Sequence, residues 1–373
     1  MKKLYDIICL TVFVGTMIIC VIFPKNLSFF VIEALDICIK NIIPSLFPLI
    51  FINQILSRTG IISNIGKYFS FAITPLFGVP KELCGAFITG LISGIPNGAH
   101  ATGITYSLNL CSKTDAERCI ALSNNCSIPF LLTVTGINLF GGTKNSLIFI
   151  MSQIISLILT ALVLKIVFNK KNNYQNTIMT IPPKSKYRFS STVCKSIAES
   201  CTVMLNICGF IIIFYIISGL IISALNLDNI SSVIIKGMLE VSSGIIGTGK
   251  IAFPLNIIIC SAIIGFSGLS AIFQVTDASL KYGLSAKQYV FSRIVNGIIM
   301  PVVTALIVLV APANTVTAFA YSRSYQYYSQ TNIKSALILY ALYTVLVILV
   351  LIIIYTVSSL LDKKYKNTKI KID

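Results

Sequence analysis

Apolar runs of about twenty residues recur along the chain, parted by short polar stretches, and an α-helix of that length spans the ~30 Å hydrocarbon core of a bilayer. Such runs cover 4–23, 36–57, 83–108, 145–168, 204–225, 254–275, 288–311 and 333–358. A ninth, 126–140 (CSIPFLLTVTGINLF), is short for a span. Two semi-polar stretches, 61–78 and 229–249, carry Gly, Ser or Pro and are expected to lie on the surface or dip in as re-entrant hairpins. The pattern predicts an all-α polytopic transmembrane helical bundle of about 8 spans (8–10), with broken or re-entrant helices and two related halves.

Polar residues interrupt three of these stretches. Inside 83–108 the chain reads SGIPNGAH, residues 93–100. Pro96 removes a backbone donor, and Gly94 and Gly98 permit non-helical dihedrals. An unsatisfied backbone group in hydrocarbon costs on the order of several kcal/mol. Such a break therefore persists where it is buried in protein or lines a polar cavity, with freed N–H and C=O groups and a half-helix dipole facing inward. Ser93 and Asn97 would add side-chain donors and acceptors there, and His100 a titratable ring. The plainer alternative is a proline kink with small residues for close helix packing, with His100 bonding a neighbouring helix.

The second cluster is KTDAERCIALSNNCSIPFLL, residues 113–132. Thr114 followed by Glu117 forms a capping-box pattern and predicts a helix start near Thr114. That helix runs into Asn124, Asn125 and Ser127, polar groups that are costly to bury unless satisfied; a loop at headgroup level is the alternative. The third cluster, GFSGLSAIFQV, puts Ser267, Gly268 and Gln274 inside another run. It reads either as a packing face of small residues or as part of the same site. The candidate substrate-binding set is thus Ser93, Gly94, Pro96, Asn97, Gly98, His100, Asn124, Asn125, Ser127, Ser267, Gly268 and Gln274.

A polar, basic stretch with a Pro pair, NKKNNYQNTIMTIPPKSKYRFSS, divides the chain into 1–168 and 191–373, with a basic loop at 169–190 between them. Lys2 and Lys3, the loop, and the tail from Lys363 to Lys371 all favour the cytoplasm, which puts both termini there. Two short matches suggest that the halves repeat. Ser93-Gly94 recurs as Ser267-Gly268, and Asn124 with Pro129 recurs as Asn296 with Pro301. Internal repeats in a polytopic protein favour a transporter-like fold with its site at the repeat interface.

Composition narrows the classes. The 373 residues are 55% hydrophobic and 11% charged, less than half the charged share of a soluble domain. A net charge of +17 fits cytoplasmic loops of a membrane protein better than nucleic acid, because the basic residues form no compact patch interleaved with aromatics. Eleven Cys without a CxxC, and a lone His, leave little for a metal site or a His-based triad. The basic start and twenty-residue apolar run at the N-terminus read as a retained first span. No GxxxxGK[ST] loop occurs, and no carboxylate stands out at mid-membrane, which weakens a coupled-transporter reading. No cofactor is implied.

NIIPSLFPLIF (41–51), FITGLISGIPNGAH (87–100), AERCIALSNNCSIPFLL (116–132) and GFSGLSAIFQV (265–275) together resemble the sporulation integral membrane proteins of the YlbJ type, across nearly the whole chain. That family is grouped with the nucleoside-recognition or Gate-domain membrane proteins. The chain departs from it at Ile95 and His100, where the family typically has Tyr and Lys, and at Cys126-Ser127, where a Gly is common. The resemblance implies a bacterial cell-membrane protein of the mother cell or forespore, needed for endospore formation and spore cortex maturation. Its implied first half is Gate-like, and its implied partners are the lipid bilayer, an unknown small solute and other sporulation membrane proteins. The leading expectation is a solute permease or gate with a polar midplane cavity, not an enzyme. A scaffold that positions the spore-envelope machinery through the basic loop is the alternative. A membrane enzyme ranks last, since no nucleophile and base pair up.

Overall fold

The computed structural model describes residues 24–59, 61–168 and 189–310. The apolar runs 4–23 and 333–358, most of the basic loop and the basic tail lie outside the described residues. Among the described residues there is no strand. Six helices among the described residues are long and apolar enough to cross a membrane: Leu27–Leu56, Lys113–Leu139, Thr143–Val167, Phe189–Leu225, Leu255–Leu280 and Lys287–Val310. A bent pair, Asn64–Phe77 with Lys81–Ser93, turns through 116° and raises the count to seven if taken as one span.

We number the helices α1 (Pro24–Ile37), α2 (Ile43–Arg58), α3 (Ile61–Phe77), α4 (Cys84–Ser93), α5 (Asn97–Ser107), α6 (Lys113–Ser123), α7 (Ile128–Phe130), α8 (Thr143–Val167), α9 (Phe189–Leu225), α10 (Asn229–Leu239), α11 (Val241–Gly247), α12 (Leu255–Phe266), α13 (Gly268–Leu280) and α14 (Lys287–Val310). A π-helical turn, Cys38–Ile42, joins α1 to α2, and α7 continues as a wider π-helical stretch, Leu131–Leu139.

The helices bury many polar side chains among apolar ones and expose large apolar residues, unlike those of a soluble bundle. On α8, Ser146, Ser152, Gln153, Ser156 and Thr160 are buried, while Leu147, Met151, Leu159, Leu162 and Ile166 face outward. An apolar solvent favours that arrangement, because hydroxyls and amides find partners only against other helices.

The run 83–108 is not one crossing. α4 and α5 fold back on each other as a helical hairpin with its tip at Gly94–Pro96. Both arms reach the same residue of α6: Thr102 Oγ1 donates to Cys119 Sγ at 3.3 Å, and that thiol donates to Leu83 O at 3.9 Å. α4 runs alongside α6, with Gly90 against Ser123 and Gly94 against Asn125 and Ser127. Its return arm α5 crosses the same neighbours in reverse order. Pro96 breaks the helix, and Gly94 makes the turn at φ 72.

A second hairpin comes from the semi-polar stretch 229–249. A Cβ on Gly244 would collide with Gly237 Cα, and one on Gly247 with Val233, so α10 and α11 lie against each other. Its tip, Leu239–Val241, packs on Gly268, which turns at φ 80 between α12 and α13. Each hairpin tip therefore sits on the break of a long apolar helix: the first on 124–127 between α6 and α7, the second on 267–268. The stretch 126–140 is the second half of that first broken helix, not a separate element.

Two further expectations are corrected. The helix after the 108–112 turn is capped by Ser112, whose Oγ accepts from Asp115 N at 3.2 Å, not by Thr114; Glu117 instead accepts from Ser285 N at 3.0 Å. The residue matches read as a repeat do not occupy equivalent places. Ser93-Gly94 is a hairpin tip but Ser267-Gly268 a break in a span, and Asn124 lies at a break whereas Asn296 lies within the continuous helix α14.

Candidate functional site

The two tips, the first break and the helix just beyond the second break converge on one half-open space of about 70 Å³. Ser93 and Gly94 of the first tip, Asn125 and Ser127 of the first break, and Gln274 beyond the second break line it, as the sequence suggested. Glu240 and Ser242 of the second tip complete it with Ser270, while Ile207 and Ile211 of α9 and Leu46 of α2 supply an apolar wall. The Ser93 hydroxyl, on a residue only 4% exposed, has no hydrogen-bond partner. A buried, unpaired hydroxyl at a cavity wall leaves a donor and an acceptor open to whatever enters.

The other candidates hold the frame. Asn124 Oδ1 accepts from Ala99 N at 2.9 Å while its amide donates to Ile120 O at 2.8 Å, which ties the first hairpin to α6. Asn97 Nδ2 donates to Ser93 O at 3.4 Å, and Gly98 lies against Gly90 and Ser123. Pro96 stands at the tip without lining the space. Ser267 Oγ donates to Ile264 O at 3.0 Å, and Gly268 gives the second tip its seat. His100 is off the cavity, edge-on to the Tyr282 ring at 6.4 Å.

Two charged residues of the site escaped the sequence reading. Glu240 is 3% exposed and caps α11, its two carboxylate oxygens accepting from Ser242 N at 2.9 Å and Ser243 N at 2.7 Å, and the residue lines the cavity. Arg293, fully buried on α14, stands behind the first break. Its Nη1 donates to Asn125 Oδ1 at 2.5 Å and its Nη2 to Ala121 O at 3.2 Å, and the guanidinium lies 5.2 Å from the Tyr289 ring centre. Neither stood out in the sequence: Glu240 lies in a semi-polar stretch and Arg293 near the start of an apolar run.

Backbone carbonyls freed at the breaks are answered from neighbouring helices. Gln153 Nε2 of α8 donates to Cys126 O at 3.1 Å, and Asn296 Nδ2 of α14 to Gly265 O at 3.3 Å. The arrangement is a hydrogen-bonded frame around a small space with mixed polar and apolar lining. Its lining includes Glu240, several hydroxyls and the two side-chain amides of Asn125 and Gln274. Among the described residues no cluster of His, Cys, Asp and Glu fit to hold a metal ion occurs.

The chain is similar to a sporulation integral membrane protein. It is 23% identical over 303 residues to the sporulation integral membrane protein YlbJ of Bacillus subtilis (strain 168), covering 71% of this chain and 74% of that one. This likeness supports the YlbJ-type resemblance carried by the four motifs. No family model matches the chain. No solved structure matches it.

Proposed function

We propose that this chain is a solute permease or gate in the membrane of a sporulating bacterium, required for endospore maturation, with the cavity between the hairpin tips as its solute site. The observation that carries the reading is the meeting of two helical hairpins and two broken helices at one small, half-open space where polar side chains face an apolar wall. Discontinuous helices around a central cavity are how membrane transporters satisfy backbone groups at mid-depth while offering them to a ligand. The similarity to a sporulation membrane protein supplies the cellular setting.

Internal symmetry supports the same reading. A hairpin, a broken helix, a turn and an unbroken helix follow one another twice: 84–167 and 229–310. Gly90 and Gly98 of the first hairpin answer to Gly237 and Gly244 of the second, and Thr160-Ala161-Leu162 to Thr304-Ala305-Leu306. Gln153 and Asn296, each donating to a carbonyl at its own broken helix, stand at matching places. α8 and α14 run antiparallel, with Phe168 beside Phe291 and Thr160 beside Asn296, so the two units are inverted relative to each other. In this reading one hairpin dips in from each side of the membrane. The end of the bundle bearing Phe168, where the basic loop begins, is cytoplasmic.

The test is complementation of a strain lacking the gene with Glu240→Gln, scoring heat-resistant spores against membrane abundance. Normal abundance with failed spores supports a working cavity. Full complementation overturns it and turns attention to the basic loop as a docking segment for envelope machinery.

A further inference from the structure

We propose that Glu33, Tyr215 and Lys236 form a latch that closes the cavity on the side away from the basic loop, and that the second hairpin moves when the latch parts. The latch presupposes the reading of that cavity as a solute site. The Tyr215 hydroxyl stands between two charges. It donates to Glu33 Oε2 at 2.7 Å and accepts from Lys236 Nζ at 3.3 Å, and that ammonium lies 4.6 Å from the centre of the same ring. Tyr215 is buried, and the two ionisable residues are half-buried. The three come from three helices: Glu33 from α1, Tyr215 from α9 and Lys236 from α10. Apolar residues of like volume would hold the helices together as well, so stability alone does not account for charges at this place.

The position of the link ties it to the cavity. Ile207, Ile211 and Tyr215 follow one another at four-residue spacing on α9 and so share one face. The first two wall the cavity, which puts Tyr215 one turn beyond it, toward the end of α9. On the other side Lys236 stands one turn before Glu240 at the hairpin tip, its carbonyl accepting from Glu240 N at 2.7 Å. The link therefore bridges the same gap that the cavity occupies, between α9 and the second hairpin. With the basic loop cytoplasmic, α9 ends and α10 begins at the opposite face, so the latch lies on the outer side.

The two banks of the gap are packed differently from the gap itself. A Cβ on Gly219 of α9 would meet the Phe30 ring of α1, and one on Gly237 of α10 would meet Ile263 of α12. Close packing thus binds α1 to α9, and the hairpin to α12. Across the gap, a hydroxyl joins two charges instead. Close-packed surfaces part only by exposing what they bury, whereas the groups of a polar link regain hydrogen bonds from water that enters as it opens. Of these contacts the polar one is suited to part while the two bodies stay intact, as a hinge or shear motion requires.

The test uses the full chain in membranes, with Ser242→Cys at the cavity wall and Cys9, Cys20, Cys194 and Cys201 replaced by serine. A membrane-impermeant methanethiosulfonate is added to intact cells or to inverted vesicles, and rates are taken above those of the same background without Ser242→Cys. Tyr215→Phe, Lys236→Met and Glu33→Leu should each speed modification from outside by about tenfold or more, the effect on an opening equilibrium of losing one hydrogen bond to a charged group. The rate in inverted vesicles should not change. Exchanging the charges, Glu33→Lys with Lys236→Glu, should restore the slow rate, which a merely structural role would not do. Arg58→Gln with Glu199→Gln, which breaks an ion pair elsewhere on α9, should leave the rate as it was. Should Lys236→Met fail to fold, Lys236→Arg must keep the slow rate while Tyr215→Phe raises it. Unchanged rates in Tyr215→Phe and Lys236→Met overturn the latch, as do rates that rise equally from both faces, or a cavity already open to the outside with all three residues intact. Failure of the solute-site reading looks different: Glu240→Gln complements fully while labelling still follows the three residues, and the latch stands.

Discussion

Arg293 and Asn125 lie far apart in sequence and meet in a 2.5 Å hydrogen bond that joins the unbroken helix α14 to the break between α6 and α7. Among the described residues the guanidinium has no carboxylate partner; it is held by an amide oxygen, the Ser292 hydroxyl, the Ala121 carbonyl and the Tyr289 ring. A buried charge with only neutral partners depends on every one of them. Removing one partner of a buried charged group costs ~3–5 kcal/mol, whereas replacing the whole arrangement with apolar groups of like volume is often neutral. Asn125→Leu should therefore lower the unfolding midpoint of the detergent-purified protein sharply, and Asn125→Leu with Arg293→Met should recover most of the loss. Fluorescence-detected thermal unfolding of the single and double variants reads this directly. Additive losses would mean that the two residues are not coupled.

Ser93 separates function from stability. Its hydroxyl is buried without a partner, and a buried unsatisfied group costs ~1–3 kcal/mol. Ser93→Ala should leave thermal stability unchanged or raise it by up to ~1 kcal/mol, while reducing the yield of heat-resistant spores in a complemented strain. A clear loss of stability would show that the hydroxyl serves the frame, as Asn124 does, and not the cavity.

Much of the architecture was legible in the order of apolar and polar positions. The breaks at Gly94–Pro96 and Ser267-Gly268 could be read because Pro and Gly act locally on the backbone. That the first is a hairpin tip and the second an interrupted crossing depends on which neighbours each helix meets, such as both arms of α4–α5 reaching Cys119, and no local pattern encodes that. Glu240 was hidden because its stretch is semi-polar throughout, so a carboxylate there did not stand out. Arg293 was hidden because it sits near the start of its apolar run, where a snorkelling cation is ordinary. Asn97, Asn124 and Ser267 were expected to line the cavity; instead they bond backbone groups beside the breaks and do not face it.

The hairpins depend on glycine contact. A Cβ at Gly244 has Gly237 backbone in its way, whereas Gly209 of α9 has nothing within 4 Å. Gly244→Ala should force α10 and α11 apart and cost ~1–3 kcal/mol as an overpacking change. Gly209→Ala should be neutral or stabilise by ~0.5–1 kcal/mol, since alanine is the better helix former. Membrane abundance and unfolding midpoint of the two variants check the contrast; equal effects would mean that the second hairpin is looser than its backbone contacts imply.

The sidedness of the first hairpin distinguishes it from the crossing that its apolar run suggested. Lys81 precedes α4 and Asn109 follows α5. In a hairpin both positions emerge on one face of the membrane, and in a crossing they emerge on opposite faces. Cysteines introduced as Lys81→Cys and Asn109→Cys, each in a background with Cys9, Cys20, Cys194 and Cys201 replaced by serine, should react with a membrane-impermeant maleimide from the same side. Ala252→Cys, beyond the second hairpin, should react from the other. Native Cys111 does not compete near neutral pH, since burial pushes its thiol up to about 12 and the reactive thiolate is scarce there. Labelling of Lys81→Cys and Asn109→Cys from opposite sides would make 84–107 a true span. The two tips would then no longer approach the cavity from opposite faces, and the inverted pairing of 84–167 with 229–310 would fall with it.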